Sequence, residues 1–231
     1  MQRHQIHPLL APVPGTERLI HSFHYGPARP RGKIYIQASL HADELPGMLV
    51  AWHLKQRLAE LEAAGRLLSE IVVVPVANPA GLEQIVMDIP LGRYELQSGQ
   101  NFNRNFLDLS TQIGDALESQ LSDDPAQNLQ LIRRQLRELL SAQVPGTQLH
   151  SQRLTLQTLA CDADMVLDLH CDYEAVVHLY TTPQAWLQVE PLARHLGAQA
   201  SLLATDSGGL SFDECFTLLW WQLQQRFGHC Y

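Results

Sequence analysis

KIYIQASLHADELPGMLV, residues 33–50, passes from a strand-forming apolar run into the start of a helix, and the change falls at His41 and Glu44. KIYIQASL (33–40) is short, apolar and rich in strand formers, so it predicts a core strand. The segment 45–67, LPGMLVAWHLKQRLAELEAAGRL, has helical length and good helix formers, with Pro46 and Gly47 confined to its start, where proline is tolerated. EIVVVPVANP (70–79) has the valine density of a strand buried on both faces. Strand, helix, strand is a βαβ unit and predicts an α/β fold.

The chain on either side supports that class. DMVLDLH (164–170), AVVHLYTT (175–182) and AQASLLAT (198–205) read as strands. Helices are predicted over 124–143, with Asp124 as N-cap and Pro125 in the first turn, and over 182–197, from a Thr182 cap to Gly197 with Pro191 inside. A third covers 211–228, where Ser211 and Glu214 have capping-box spacing and Gly228 is the stop. Residues 80–123 show no sustained period, and a loop that long inside a compact domain is either functional or misread.

A chain of 231 residues is long enough for one α/β domain, here taken as 1–231 with 1–32 an N-terminal extension. The net charge of −8 argues against nucleic acid or an anionic membrane as partner, while leaving room for a small anionic substrate. No apolar run approaches the roughly 18 residues of a membrane span and the N-terminus carries no signal-peptide pattern, so a cytoplasmic location is expected. The four cysteines, Cys161, Cys171, Cys215 and Cys230, form no CxxC pair and are expected to be reduced thiols.

His41 directly follows the first predicted strand and His170 ends another. Ligands of open α/β sheets collect beyond the carboxyl ends of the strands, so both imidazoles can reach one crevice. Glu44 would complete two histidines and a carboxylate, a set that favours catalytic zinc over magnesium or calcium. The HxxE pair alone is weak, since chance supplies one in roughly every second chain of this composition. Asp168, two residues before His170, could steady a ligand histidine from outside the metal sphere. NFNRNF (101–106) adds Asn103 and Arg104, and Arg93 lies ten residues before Asn103. A guanidinium can bind a carboxylate or support a developing oxyanion.

In this order, SLHADELPG, NFNRNF and DLH resemble the succinylglutamate desuccinylase/aspartoacylase family, relatives of the zinc carboxypeptidases. The resemblance spans roughly residues 33–228 and includes SFDEC in the last helix. It implies a single-domain, zinc carboxypeptidase-like fold, with a mixed, mainly parallel sheet flanked by helices. It implies one Zn2+ per chain held by His41, Glu44 and His170, with Asn103 and Arg104 handling the substrate carboxylate and the scissile carbonyl. Arg104 is then the expected catalytic cation, and Arg93 a further substrate-binding residue. The implied reaction is hydrolysis of an amide next to a carboxylate, in an N-acyl amino acid or at a peptide end.

One family feature has no match. The general-base glutamate comes on a strand after the helix that corresponds to 211–228, and this sequence ends at Tyr231; a continuing strand with a glutamate would explain the abrupt end. Glu174 and Glu190 precede that place, and Glu214 is explained by its capping box. Two other readings therefore stand beside the hydrolase: a zinc-containing binding domain without a base, and a two-metal aminopeptidase-like enzyme using Asp172. The HxxH spacings His4/His7 and His21/His24 point their rings to opposite faces of an extended segment and read as surface or partly buried histidines.

Overall fold

The computed structural model describes residues 3–228 and residue 231. Two strands precede the βαβ unit, β1 (Arg3–Pro8) and β2 (Leu19–Tyr25), paired antiparallel with Ile6 opposite His21. The stretch taken as an extension thus supplies one side of the sheet. β3 (Lys33–Ala38), α1 (Pro46–Ala63) and β4 (Glu70–Val74) then form the expected unit, with β3 parallel to β4 and Tyr35 opposite Val72.

The segment without a sustained period holds α2 (Pro79–Leu82), the two-residue strands β5 (Ile85–Val86) and β6 (Ile89–Pro90), and α3 (Ser110–Leu117). α4 (Pro125–Ser141) starts as its sequence predicts, with the Asp124 carboxylate accepting from the N–H groups of Ala126 and Gln127 at 2.9 and 3.3 Å. α5 (Gln148–Ala160) is capped by Thr147, whose hydroxyl accepts from the His150 N–H at 3.1 Å. β7 (Met165–Leu169), β8 (His178–Thr181), α6 (Trp186–Leu196), β9 (Ala200–Leu203) and α7 (Glu214–Phe227) complete the chain.

Two helix starts differ from the sequence reading. α6 begins at Trp186 rather than near Thr182, because the Thr182 hydroxyl is used in a turn, accepting from the Ala185 N–H at 3.2 Å. At α7 the Ser211 N–H reaches Glu214 Oε2 at 3.3 Å, the reciprocal half of a capping box. The Ser211 hydroxyl instead donates to Asp213 at 2.6 Å, so the helix itself starts at Glu214.

The main sheet has the order β1-β2-β4-β3-β7. Its pairings are parallel from β4 through β3 to β7 and antiparallel from β4 through β2 to β1, which makes the fold a mixed α/β domain with a parallel centre. β8 and β9 form a separate parallel pair. Val73, Ala38 and Tyr25 pack with Ala51 and Leu58 of α1 on one face. On the other, Tyr35, Val72 and Val74 meet Ile113 of α3, Ile132 and Leu136 of α4, Leu156 of α5 and Leu219 of α7. Fully burying side chains of this size contributes about 1.5–3 kcal/mol each. The helices therefore hold the sheet from both sides, and the residues that leave its carboxyl edge position the site.

That edge positions the site. Ala38 and Leu169 are register partners at the ends of β3 and β7, so the residues that follow them leave the sheet side by side. Ser39, buried and with φ at +64°, turns the chain from β3 toward His41. Gly47 lets the start of α1 approach the same edge, since a Cβ there would lie 3.0 Å from the Leu169 carbonyl oxygen and 3.3 Å from the Ala38 Cβ.

Candidate metal centre

His41 and Glu44 lie in the turn between β3 and α1, closed by the Glu44 N–H donating to the His41 carbonyl at 3.1 Å. His170 follows β7 across the gap. His41 Nδ1 is 3.0 Å from Glu44 Oε1, and His170 Nδ1 is 2.9 Å from Glu44 Oε2. The rings stand edge to face with centroids 5.0 Å apart. One ligand atom from each residue lies within 4.8 Å of the others, and among the described residues no other group of three His, Cys, Asp or Glu converges so closely. His41 and Glu44 are buried, while the His170 side chain is 30% exposed, which leaves one side of the trio open to solvent.

The outer nitrogens test whether a cation fits. His41 Nε2 is 2.8 Å from Asn101 Oδ1, and that oxygen is identified by the backbone N–H of Asn103, which donates to it at 2.8 Å. His170 Nε2 is 2.9 Å from Asp168 Oδ2. Each imidazole therefore faces an oxygen acceptor from both nitrogens, yet a neutral ring carries a single N–H. The arrangement calls for positive charge between the two Nδ1 atoms and Glu44, supplied by a proton or by a metal ion. Two imidazole nitrogens and a carboxylate oxygen, with the histidines oriented from outside, suit a divalent transition metal.

The metal-free electrostatics agree. Burial alone would raise the Glu44 pKa, but hydrogen bonds from His170, His41 and the Cys171 N–H outweigh it and pull it far below the usual carboxylate range. Burial alone would lower the His170 pKa, and the charges and hydrogen bonds of Asp168 and Glu44 reverse this and push it up to about 11. A metal ion entering here displaces a proton from His170.

Arg93 is pinned beside the trio. Its Nη2 donates to Glu44 Oε1 at 2.8 Å. The preceding Gly92 accepts from the Ala42 N–H at 3.0 Å and packs so tightly that a Cβ would lie 2.2 Å from the Asp43 nitrogen. Arg104 is placed differently: its Nη1 donates to the Asn103 carbonyl at 2.6 Å, and a Cβ on Gly209 would lie 2.7 Å from its Cδ. Asn103, buried, accepts from the Phe212 N–H at 2.8 Å through Oδ1, while its Nδ2 is 3.5 Å from His170 Nε2. Backbone bonds from Asn105 to Gly209 and from Phe106 to Leu210 tie the two segments together, with the Phe212 ring packed among Tyr35, Phe106 and Phe216. The sequence reading missed Asn101, although it stands two residues before Asn103 in the same quoted motif. It also missed Arg153 of α5, whose guanidinium donates to Gln100 Oε1 and the Asn101 carbonyl, both at 3.1 Å, and so holds this loop.

The remaining candidates lie apart. Asp172 is exposed and 3.4 Å from His178, outside the converging group. Glu174 is exposed, Glu190 pairs with Arg194 at 2.6 Å, and the buried Glu214 accepts from the N–H groups of Ser207 and Ser211. His4 faces His21 at 2.8 Å, and His7 reaches His24 through the Ser22 hydroxyl, so the HxxH histidines pair between strands and along opposite faces. Cys161, Cys171 and Cys215 are free thiols; Cys230 lies outside the described residues. No helix among the described residues is long and apolar enough to cross a membrane.

Comparison with known proteins places this geometry in context. Among curated proteins none matches the chain significantly by sequence. In solved structures, a succinylglutamate desuccinylase/aspartoacylase family protein from Shewanella amazonensis superposes with a TM-score of 0.82 at 28% identity, covering 98% of this chain and 60% of its own. A second, from Shewanella frigidimarina, gives 0.80 at 26% identity, covering 97% of this chain and 59% of its own. The chain thus spans about three fifths of the length of these relatives. Bovine thrombin-activatable fibrinolysis inhibitor, at 12% identity and a TM-score of 0.54 over 87% of this chain and 72% of its own, shows that the fold is carboxypeptidase-like. A family model for the succinylglutamate desuccinylase/aspartoacylase catalytic domain matches residues 30–214, and the chain belongs to that family.

Proposed function

We propose that this chain forms the zinc centre of a hydrolase that cleaves the amide bond of a small carboxylate-bearing substrate, an N-acyl amino acid. The observation that carries the reading is the pair of imidazoles presenting Nδ1 to the two oxygens of one glutamate while their Nε2 atoms face fixed oxygen acceptors. His41, Glu44 and His170 would hold one zinc, and Asp168 and Asn101 would orient the rings. Zinc bound there would supply a Lewis acid for an amide carbonyl and lower the pKa of a water.

The chain's own cations divide the rest of the work. Arg93 touches Glu44, so its guanidinium is the one beside the reacting carbonyl, where it can pair with an oxygen that becomes negative. Arg104 and Asn103, linked to each other and to the 209–212 segment, then take the substrate carboxylate, for which a guanidinium is suited by its fork of N–H donors. This assigns the oxyanion role to Arg93 instead of Arg104, on the contact each arginine makes.

A specific observation favours a second reading, a zinc-dependent binding domain without turnover. Glu174, Glu190 and Glu214 are each exposed or engaged elsewhere, and none joins the converging group. Zinc-reconstituted full chain incubated with a panel of N-acyl amino acids separates the two. Release of free amino acid that is lost in His41→Ala supports the hydrolase; saturable binding of the same compounds without release supports the binder.

A further inference from the structure

Beneath the site, Gln37 of β3 and Asp168 of β7 are register partners in adjacent parallel strands, so their side chains project to the same face of the sheet. Tyr35, two residues before Gln37, shares that face. Its ring is fully enclosed and its hydroxyl donates to Gln37 Oε1 at 2.9 Å. Burial first, and then the charge of Asp168, push the Tyr35 pKa well above the usual phenol range, so the hydroxyl stays a donor.

Two complementary atoms are left over. Gln37 Nε2 is buried with no acceptor among the described residues, and Asp168 Oδ1 is buried with no donor. The other oxygen of Asp168, Oδ2, is the one that faces His170 Nε2 at 2.9 Å. An amide donor and a carboxylate acceptor of this kind are costly to leave unpaired inside a protein, and here they belong to register partners on neighbouring strands.

We propose that Gln37 is a positioning residue of the metal centre: its amide donates to Asp168 Oδ1, directly or across one buried water, and links Tyr35, Gln37, Asp168 and His170 in one relay. The proposal rests on the zinc reading of the site. The donors in the relay converge on Asp168: the Tyr35 hydroxyl donates to Gln37 Oε1, Gln37 Nε2 to Asp168 Oδ1, and from the other side His170 Nε2–H to Asp168 Oδ2. Asp168 is held with Oδ2 toward the histidine, and the imidazole is held as the tautomer whose Nδ1 lone pair would be available to a metal ion beside Glu44. Gln37 touches neither metal ion nor substrate, so its effect reaches the site through Asp168 alone.

The test uses the full chain with zinc or cobalt(II), comparing wild type, Gln37→Glu and Tyr35→Phe. Zinc affinity is measured by chelator competition, ligand geometry by the cobalt absorption spectrum, and fold integrity by melting of the metal-free protein. Gln37→Glu replaces the donor with an acceptor facing Asp168 and should weaken zinc binding about tenfold, the lower end for residues that orient metal ligands, with a changed cobalt spectrum. Tyr35→Phe removes only the far end of the relay and should weaken binding in the same direction but by less than Gln37→Glu does. If Gln37→Glu does not fold, Tyr35→Phe carries the prediction. Folded variants with wild-type zinc affinity and cobalt spectrum, whatever their melting temperature, overturn the relay and leave the zinc reading intact. Wild-type protein that binds neither metal overturns both.

Discussion

Replacing Gly92 with alanine tests how the turn carrying His41 and Glu44 is held. A Cβ at this position would lie 2.2 Å from the Asp43 nitrogen, 2.6 Å from the Ala42 carbonyl carbon and 2.8 Å from its Cα. All three are backbone atoms, so no flexible side chain can swing aside. Restoring ordinary contact, 3.4 Å or more, requires the segment at residue 92 to separate from the turn by about 1 Å, an overpacking strain of roughly 1–3 kcal/mol. For a chain of this size that lowers the melting temperature by about 2–12 °C. The same movement breaks the Ala42 N–H bond to the Gly92 carbonyl, now 3.0 Å, and carries Arg93 away from Glu44. A displacement of about 1 Å at a reacting group costs on the order of a hundredfold in turnover. Thermal melting gives the first quantity, and initial rates on the best N-acyl amino acid give the second. Gly92→Ala protein that melts within a degree of wild type and keeps its rate refutes the reasoning about this contact.

Further outcomes follow from the same site. In metal-free protein, the raised His170 pKa contributes stability that is full below its unfolded value near 6.5 and is lost as pH climbs through about 11. The lowered Glu44 pKa contributes stability that is present above its unfolded value near 4.5 and is lost as pH falls through its native value. Denaturant unfolding of the metal-free chain should therefore show stability declining from pH 6.5 upward, with the decline absent in His170→Ala. Zinc affinity should move the opposite way, rising by roughly tenfold per pH unit while one proton is displaced; calorimetry in buffers of different ionisation enthalpy counts that proton. Asn101→Leu removes the acceptor of His41 Nε2 and should weaken zinc binding by about 10–100-fold, whereas an unchanged affinity would show that the His41 ring is oriented by other contacts.

The sequence carried the βαβ unit because it depends on short-range pattern, an apolar run followed by a proline-led helix, and it pointed to the converging trio because its histidines stand at strand ends. It did not carry β2. There the inward positions are Ile20, Ser22 and His24, and a polar residue faces the interior because Ser22 reaches His7 and His24 reaches Glu70. No alternation of apolar and polar residues survives such partners. α5 escaped notice for a related reason, since it buries Gln152, Arg153 and Gln157 along with its leucines. α3 is short and packs Gly114 against Arg226, where a Cβ would lie 2.5 Å from Nη1, a contact with a residue far along the chain that a local pattern does not record.

At the site, the convergence of the histidines and Glu44 was legible from their places at strand ends and from the family resemblance, and the outer partners were not. Asp168 had been assigned a ligand histidine without knowing which, and it is His170 itself that it meets. Asn101, Gly92 and Gln37 act through contacts that a linear pattern does not record. The different surroundings of Arg93 and Arg104 likewise come from Gly92 and Gly209, two glycines whose neighbours are distant in sequence.

The most direct measurement is zinc bound per chain, determined by elemental analysis after zinc reconstitution and desalting, in wild type, His41→Ala and His170→Ala. The account predicts about one zinc in the wild type and a loss of most of it in either folded variant. Wild-type protein with no zinc, or histidine variants that retain a full equivalent, would contradict it.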